Sequence, residues 1–182
     1  MSINVRPGKE GDLEAINRIY NHYVAHTALT FDTEPWSAER RRAWFSDILS
    51  PYFLLVAEAQ GQVVGFCYNQ IFKPKEAYAC SSEVTVYLDP DYQGKGLGRL
   101  LYQALFERVS TTDIHRLYAW ITMPNEASIA LHKKWGFSHS GTMHQVGFKF
   151  GQYHDVSLWE KCIGDETHGS DLDHRCDRHH RV

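Results

Sequence analysis

Two short stretches hold the residues with the clearest chemical capacity. In Gln93-Gly94-Lys95-Gly96-Leu97-Gly98, three glycines alternate with larger residues. A loop so poor in side chains leaves its backbone N–H groups free to face outward. Where it opens a helix, the unpaired N–H groups of the first turn join them, and the whole suits an anion such as a phosphate. The spacing excludes two phosphate loops. A P-loop needs Gly-x-x-x-x-Gly-Lys-[Ser/Thr] and a dinucleotide fingerprint needs Gly-x-Gly-x-x-Gly, and no window supplies either, so ATP and NAD are not favoured. The second stretch is Glu83-Val84-Thr85-Val86-Tyr87-Leu88. A carboxylate in so apolar a run is a poor choice for a core unless it has a task or a partner, which makes Glu83 a candidate proton acceptor; a surface-facing or salt-bridged glutamate is the alternative.

These groups need elements to position them. Alternation puts Glu83, Thr85 and Tyr87 on one face and Val84, Val86 and Leu88 on the other, which predicts a strand. After the glycines, Leu97, Leu100, Leu101, Ala104, Leu105 and Arg108 recur at spacings of three and four, which predicts an amphipathic helix to about Val109. Upstream, Ile3 and Val5 open a strand ending at Arg6-Pro7, and Asp12 caps a helix with Leu13, Ile16, Ile19, Tyr20 and Tyr23 on one stripe. A loop over residues 25–35 follows. Its Phe31 is either a plug seated on the core or a wall of a substrate pocket. Ser37 caps a second helix with Trp44, Phe45, Ile48 and Leu49 buried. Residues 53–57 and 63–68 read as a hairpin across Gln60-Gly61-Gln62, and Phe72-Lys73-Pro74-Lys75 interrupts the sheet. Residues 117–123 form another strand, residues 127–135 a helix stopped by Gly136, and residues 137–150 and 154–159 a final antiparallel pair turning at Gly151.

At 182 residues, with 43% hydrophobic and 13% aromatic content, the chain fits one domain with a sizeable core. Lys plus Arg is 19 and Asp plus Glu is 22, for a net charge of -3, so neither nucleic acid nor anionic lipid is an expected partner. No apolar run suits a signal core or a membrane span, and a cytoplasmic protein is expected. The four cysteines, Cys67, Cys80, Cys162 and Cys176, form no Cys-x-x-Cys pair, against a zinc knuckle or a disulfide framework. Cys67 and Cys80 read as small buried strand residues. The domain spans residues 1–162. Residues 163–182, rich in histidine and charge, read as a disordered tail without a metal site.

Gln93-x-x-Gly96-x-Gly98 resembles the acyl-CoA loop of the GNAT superfamily of N-acetyltransferases, [Gln/Arg]-x-x-Gly-x-[Gly/Ala]. Asn125-x-x-Ser128-x-x-Leu131-His132-x-x-x-Gly136-Phe137 resembles that family's later helix signature. The resemblance covers roughly residues 3–161 and implies an α/β (α+β) fold, with a mixed, mostly antiparallel central sheet flanked by helices. It implies acetyl-CoA as co-substrate and no metal. The cofactor contacts it implies are the backbone of Val86, Tyr87 and Leu88 along the pantetheine arm, the loop Gln93, Gly94, Lys95, Gly96, Leu97, Gly98 and Arg99 at the pyrophosphate, and Asn125. Where many members place a tyrosine as general acid, this chain has His132. That residue, with Asn21-His22-Tyr23, Thr30-Phe31-Asp32-Thr33-Glu34-Pro35, Lys73, Ala77-Tyr78 and Gly147-x-Lys149-x-Gly151-x-x-His154-Asp155-Val156, resembles the phosphinothricin and methionine sulfone (sulfoximine) N-acetyltransferase branch.

The branch implies acetylation of the α-amino group of a small amino acid, and a homodimer. Phe31, Lys73, Pro74, Lys75, Glu83, Val84 and Thr85 are the implied acceptor contacts. Glu83 would take the amine's proton, directly or through water, and His132 would protonate the departing thiolate, shape the proton path, or serve as a structural histidine. No cysteine shows evident activation, which favours direct transfer over an acyl-enzyme. Two rivals remain: acetylation of a protein N-terminus or lysine, and a non-catalytic acyl-CoA sensor.

Overall fold

The computed structural model describes residues 2–48 and 51–163. Leu49 and the tail from residue 164, with the readings given to them above, lie outside the described residues. The strands are β1 (Ile3–Pro7), β2 (Leu54–Ala59), β3 (Gln62–Ile71), β4 (Ser81–Leu88), β5 (Arg116–Thr122), β6 (Ser138–Lys149) and β7 (Gln152–Cys162), with β2 and β3 near-continuous apolar runs buried on both faces and β6 mostly exposed. Residues spaced by three and four build the helices α1 (Leu13–His26), α2 (Ala38–Ile48), α3 (Leu97–Val109) and α4 (Glu126–Lys134). The strands form a seven-stranded sheet in the order β1-β2-β3-β4-β5-β7-β6, antiparallel throughout except between β4 and β5. Two short turns set its registers. Gln60 and Gly61 both have positive φ, as do Phe150 and Gly151, the geometry that matches a two-residue hairpin loop to strand twist.

The helices cover the two faces and divide the core. On one side α3 packs Leu97, Leu101, Tyr102, Leu105 and Phe106 onto Leu55, Ala57, Cys67, Val84, Leu117, Ala119 and Ile121, with Ile129 and Leu131 of α4 half-buried against them. On the other, α1 and α2 pack Ile16, Ile19, Tyr20, Tyr23 and Ile48 onto Leu54, Val56 and Phe66. No helix among the described residues is long and apolar enough to cross a membrane.

Four local readings are corrected. The buried stripe of α3 is Leu97, Leu101, Tyr102, Leu105, Phe106 and Val109, while Leu100 is 40% exposed, because α4 packs beside α3 and turns the buried arc toward Tyr102 and Phe106. Asp12 gives α1 no side-chain cap; its carboxylate accepts a fork from Arg6 at 2.7 and 2.9 Å and the Lys9 N–H at 2.9 Å. In α2 the most buried side chain is Arg41, with Trp44 and Phe45 only half-buried. The Arg41 guanidinium lies 4.1 to 4.7 Å from the ring centres of Trp36, Trp44 and Tyr20, and its Nε donates to Asn17 Oδ1 at 3.1 Å. Burial lowers its pKa to about 10, so it stays charged at neutral pH. Cys67 is buried in β3, but Cys80 is half-buried in the turn before β4.

Candidate active site

The sheet opens between β4 and β5. β3 and β4 stay paired from Ile71↔Ser82 to Gly65↔Leu88, whereas β4 meets β5 only from Ser81↔Arg116 to Glu83↔Tyr118. Beyond that point β5 follows β7 as far as Thr122↔Val156. The Asp89 N–H donates to Val64 O at 2.9 Å, and hydrogen-bonded pairs alternate in an antiparallel ladder. Thr85 and Tyr87 therefore bond to β3, and Val84, Val86 and Leu88 turn their groups the other way; the Glu83↔Tyr118 pair takes the Val84 N–H, so the Val84 C=O and both groups of Val86 and Leu88 point into the gap. A free strand edge inside a sheet needs partners, and an extended chain carrying amides supplies them.

A cavity of about 620 Å³ fills this gap and is lined from both faces of the sheet. Val84, Val86, Leu88, Leu97 and His132 line it on the α3 side, and Tyr23, Leu29, Thr85, Tyr87 and Trp120 on the α1 side. At its mouth lies the glycine loop. Gly94 (φ 71°) and Gly96 (φ 79°) occupy left-handed conformations, and Gly96 is the N-cap of α3. Gly98 serves close packing: a Cβ there would lie 3.1 Å from Leu131 of α4. The loop thus presents the N–H groups opening α3, with Arg99 beside them, to the cavity. Asn125 caps α4 by accepting the Ser128 N–H at 3.2 Å and lines the same cavity.

On the α1 side, Glu83 lies in register with Gln70 and Tyr118. Burial raises its pKa, against hydrogen bonds from the Gln70 and Trp120 side chains that pull it down. A carboxylate so desolvated is a stronger base than one in water. Phe72 stacks on Tyr118 with centroids 4.3 Å apart and runs parallel to Trp120, and Lys73 Nζ lies 5.2 Å from the Phe72 ring centre and 5.4 Å from that of Tyr78. Lys73, Pro74 and Lys75 are exposed. Phe31 lies against Gly147, where a Cβ would meet its ring at 2.3 Å, and faces His154 at 6.1 Å. Beside it Lys149, 4% exposed, donates to Thr30 O at 2.9 Å and ties the loop between α1 and α2 to the end of β6.

His132 is 3% exposed. Its Nδ1 lies 2.8 Å from Ser128 O, which can only accept, so Nδ1 carries the proton. Nε2 therefore accepts from the Tyr102 hydroxyl at 3.0 Å. Burial lowers the histidine's pKa and raises that of Tyr102 well above its ordinary value, so both are neutral near pH 7. A proton leaving this pair toward the cavity would be that of Tyr102. Tyr102→Phe would strand a buried acceptor and is expected to lower the unfolding free energy by about 1–3 kcal/mol in urea titration. Unchanged stability would mean that the pair is not formed.

The cavity thus gathers Val84, Thr85, Val86, Tyr87, Leu88, Gln93, Gly94, Gly96, Leu97, Gly98, Arg99, Asn125 and His132. It does not take in Glu83, Phe31, Lys73, Pro74, Lys75 or Lys95. Glu83 lies outside its lining, and Lys95 turns back to Asp91 O at 2.8 Å and over Tyr92. Tyr23, Tyr102 and Trp120 went unassigned. Tyr23 was legible in the α1 stripe and the branch motif and Trp120, 38% exposed, in an apolar run, while Tyr102 lay off the stripe read for α3.

A family model described as Acetyltransferase (GNAT) domain matches residues 5–158. The phosphinothricin N-acetyltransferase of Streptomyces coelicolor is 47% identical over 166 residues, covering 87% of this chain and 95% of that one. The L-methionine sulfoximine/L-methionine sulfone acetyltransferase of Pseudomonas paraeruginosa is 38% identical over 162 residues, covering 88% and 94%. Among solved structures, a GNAT superfamily phosphinothricin acetyltransferase from Sinorhizobium meliloti in complex with AcCoA superposes with a TM-score of 0.88 at 31% identity, covering 92% of this chain and 91% of that one. With a split sheet, a glycine loop at its mouth and these relatives, the chain belongs to the GNAT family of acetyltransferases.

Proposed function

We propose that the protein transfers an acetyl group from acetyl-CoA directly to the α-amino group of a small amino acid of the methionine sulfone, methionine sulfoximine or phosphinothricin type. The observation that carries this reading is the cavity through the sheet, open to a donor on the α3 side and to an acceptor on the α1 side. Acetyl-CoA supplies an activated thioester. The free edge at Val86 and Leu88 fits its amide-bearing arm, Gly94, Gly96, Leu97, Gly98 and Arg99 suit its phosphates, and Asn125 lies alongside.

Glu83, directly or through water, accepts the proton that the acceptor's ammonium must lose before its nitrogen can attack the thioester. Of the Val86 and Leu88 N–H groups, the one that the arm leaves free is the donor available to an oxygen on which charge builds. His132 shapes the proton path through the Tyr102 hydroxyl. Thr85 walls the acceptor side, with Val84 across the strand on the α3 side, Phe31, Lys73, Pro74 and Lys75 on the surrounding loops, and Lys73 as the cation for the acceptor's carboxylate. The same reading includes a cytoplasmic site of action and a homodimer. In support of pairing, β6 is an edge strand, and Val146, Phe148, Phe150 and Tyr153 on its hairpin are 51% to 65% exposed; light scattering should give twice the chain mass.

The deciding experiment is thiol release from acetyl-CoA with the three amino-acid analogues. Turnover of one or more of them is the expected result. Tight acetyl-CoA binding with no turnover of any would sink the acceptor assignment and send the search to peptide amines.

A further inference from the structure

The hydroxyl of Tyr23 joins three elements. It belongs to α1, is 6% exposed as a residue, donates to Leu88 O at 2.5 Å and accepts from Gln93 Nε2 at 2.8 Å. Its ring is held by Tyr87, with centroids 5.1 Å apart, and it lines the cavity. The directions of these bonds follow from one another. The Leu88 carbonyl can only accept, so the phenol proton must go there; the phenol's remaining lone pairs then require a donor, so Gln93 must present its nitrogen. The second N–H of that same amide is left for the mouth of the cavity.

We propose that Tyr23 is a positioning residue for the acyl donor, closing the free edge of β4 at Leu88 and orienting Gln93 and the glycine loop toward the donor's phosphates. The proposal rests on the acetyl-CoA reading above. Val86 and Leu88 turn equivalent groups into the gap, so an extended amide chain could dock in registers two residues apart, about 6.6 Å. Such a slip would carry the phosphates away from the N–H groups that open α3. With its carbonyl taken by Tyr23, Leu88 offers an incoming chain only its N–H, and the edge ends there in one register. The same hydroxyl holds Gln93 at that end, so the slot and the anion site stay in step.

The test compares acetyl-CoA with S-acetylpantetheine, which carries the amide arm and no phosphates. With Tyr23→Phe, KM for acetyl-CoA should rise about tenfold, the loss of one well-made contact, with kcat at saturation within about twofold. The change with S-acetylpantetheine should stay within about twofold. Gln93→Ala, at an exposed loop position, should give the same split and should add nothing to Tyr23→Phe in the double variant. Gln93→Ala also carries the test alone if Tyr23→Phe folds poorly. Equal losses with both donors, an unchanged KM for acetyl-CoA, or additive effects would overturn the proposal. Failure of the wild type to bind acetyl-CoA in calorimetry would instead sink the reading on which it rests.

Discussion

Glu83→Gln should lower kcat by about 10²–10⁴-fold, the range for loss of a positioned proton acceptor, while acetyl-CoA affinity stays within about twofold. The split is expected because Glu83 lies on the α1 face of β4, whereas the free edge and the glycine loop that suit the donor lie in the gap and at the mouth of α3. The wild-type pH profile should show the same group. Glu83 must be ionised to accept a proton, and burial raises its pKa above the ordinary carboxylate value, so the acid limb of kcat/KM should fall tenfold per pH unit from a midpoint displaced upward from 4.5. The stability of the variant should move the opposite way to its activity. Below the unfolded pKa, Glu83 is protonated in both states and contributes no difference. As pH rises through the unfolded and then the raised folded value, the unfolded chain ionises first, so stability is lost and remains lost above the folded pKa. Glutamine escapes that loss. Its Tm should exceed that of the wild type at pH 7.5, by about 2–4 °C for each kcal/mol relieved, with the gap closing near pH 4. A variant with unchanged kcat, or a Tm below that of the wild type at pH 7.5, would remove Glu83 from the chemistry or from its desolvated place.

The features legible in the sequence are those fixed by neighbours along the chain. Alternation in residues 83–88, the three-and-four spacing after Leu97, and Gly136 past the end of α4 placed the strand, the helix and the stop, because propensity and periodicity are local. The anion loop was legible for the same reason: alternating glycines report backbone conformation wherever they occur. Partners distant in sequence were not. His132 faces a tyrosine 30 positions away, and Gln93 meets one 70 positions away. Nothing along the chain marks Arg41, which Tyr20 from α1 and Trp36 from the following loop close over. The split between β4 and β5 was read only through resemblance, since an apolar run does not say how far its pairing extends. Leu100 and Tyr102 exchanged burial because the stripe on α3 is set by two surfaces, the sheet and α4, and periodicity alone describes one.

Val86→Pro isolates the other half of the site, and it should weaken acetyl-CoA binding by about 10²-fold or more in calorimetry while the protein stays folded. Proline removes one backbone N–H and fills its place with ring carbons. At most positions in a central strand that would break the ladder. At Val86 the N–H points into the gap, because the hydrogen bond from Asp89 N to Val64 O fixes the alternation that gives Thr85 and Tyr87 to β3. Thr85, the residue before the new proline, is already extended in β4, the conformation that position requires. The ladder to β3 should therefore survive, with a cost of about 1–2 kcal/mol for narrowing φ, whereas Tyr87→Pro, one residue on, should remove a bond to Phe66 and prevent folding. The loss of affinity has two sources: a missing hydrogen bond, worth about 0.5–1.5 kcal/mol, and ring carbons standing where an amide carbonyl of the donor must approach. Val86→Ala keeps the N–H and should bind acetyl-CoA within a few fold of the wild type, which separates the backbone from the side chain. If Val86→Pro folded and bound acetyl-CoA as the wild type does, the donor would not pair with β4, and the gap would need another occupant to satisfy its edge. If both variants lost affinity equally, the valine side chain rather than the free edge would hold the donor.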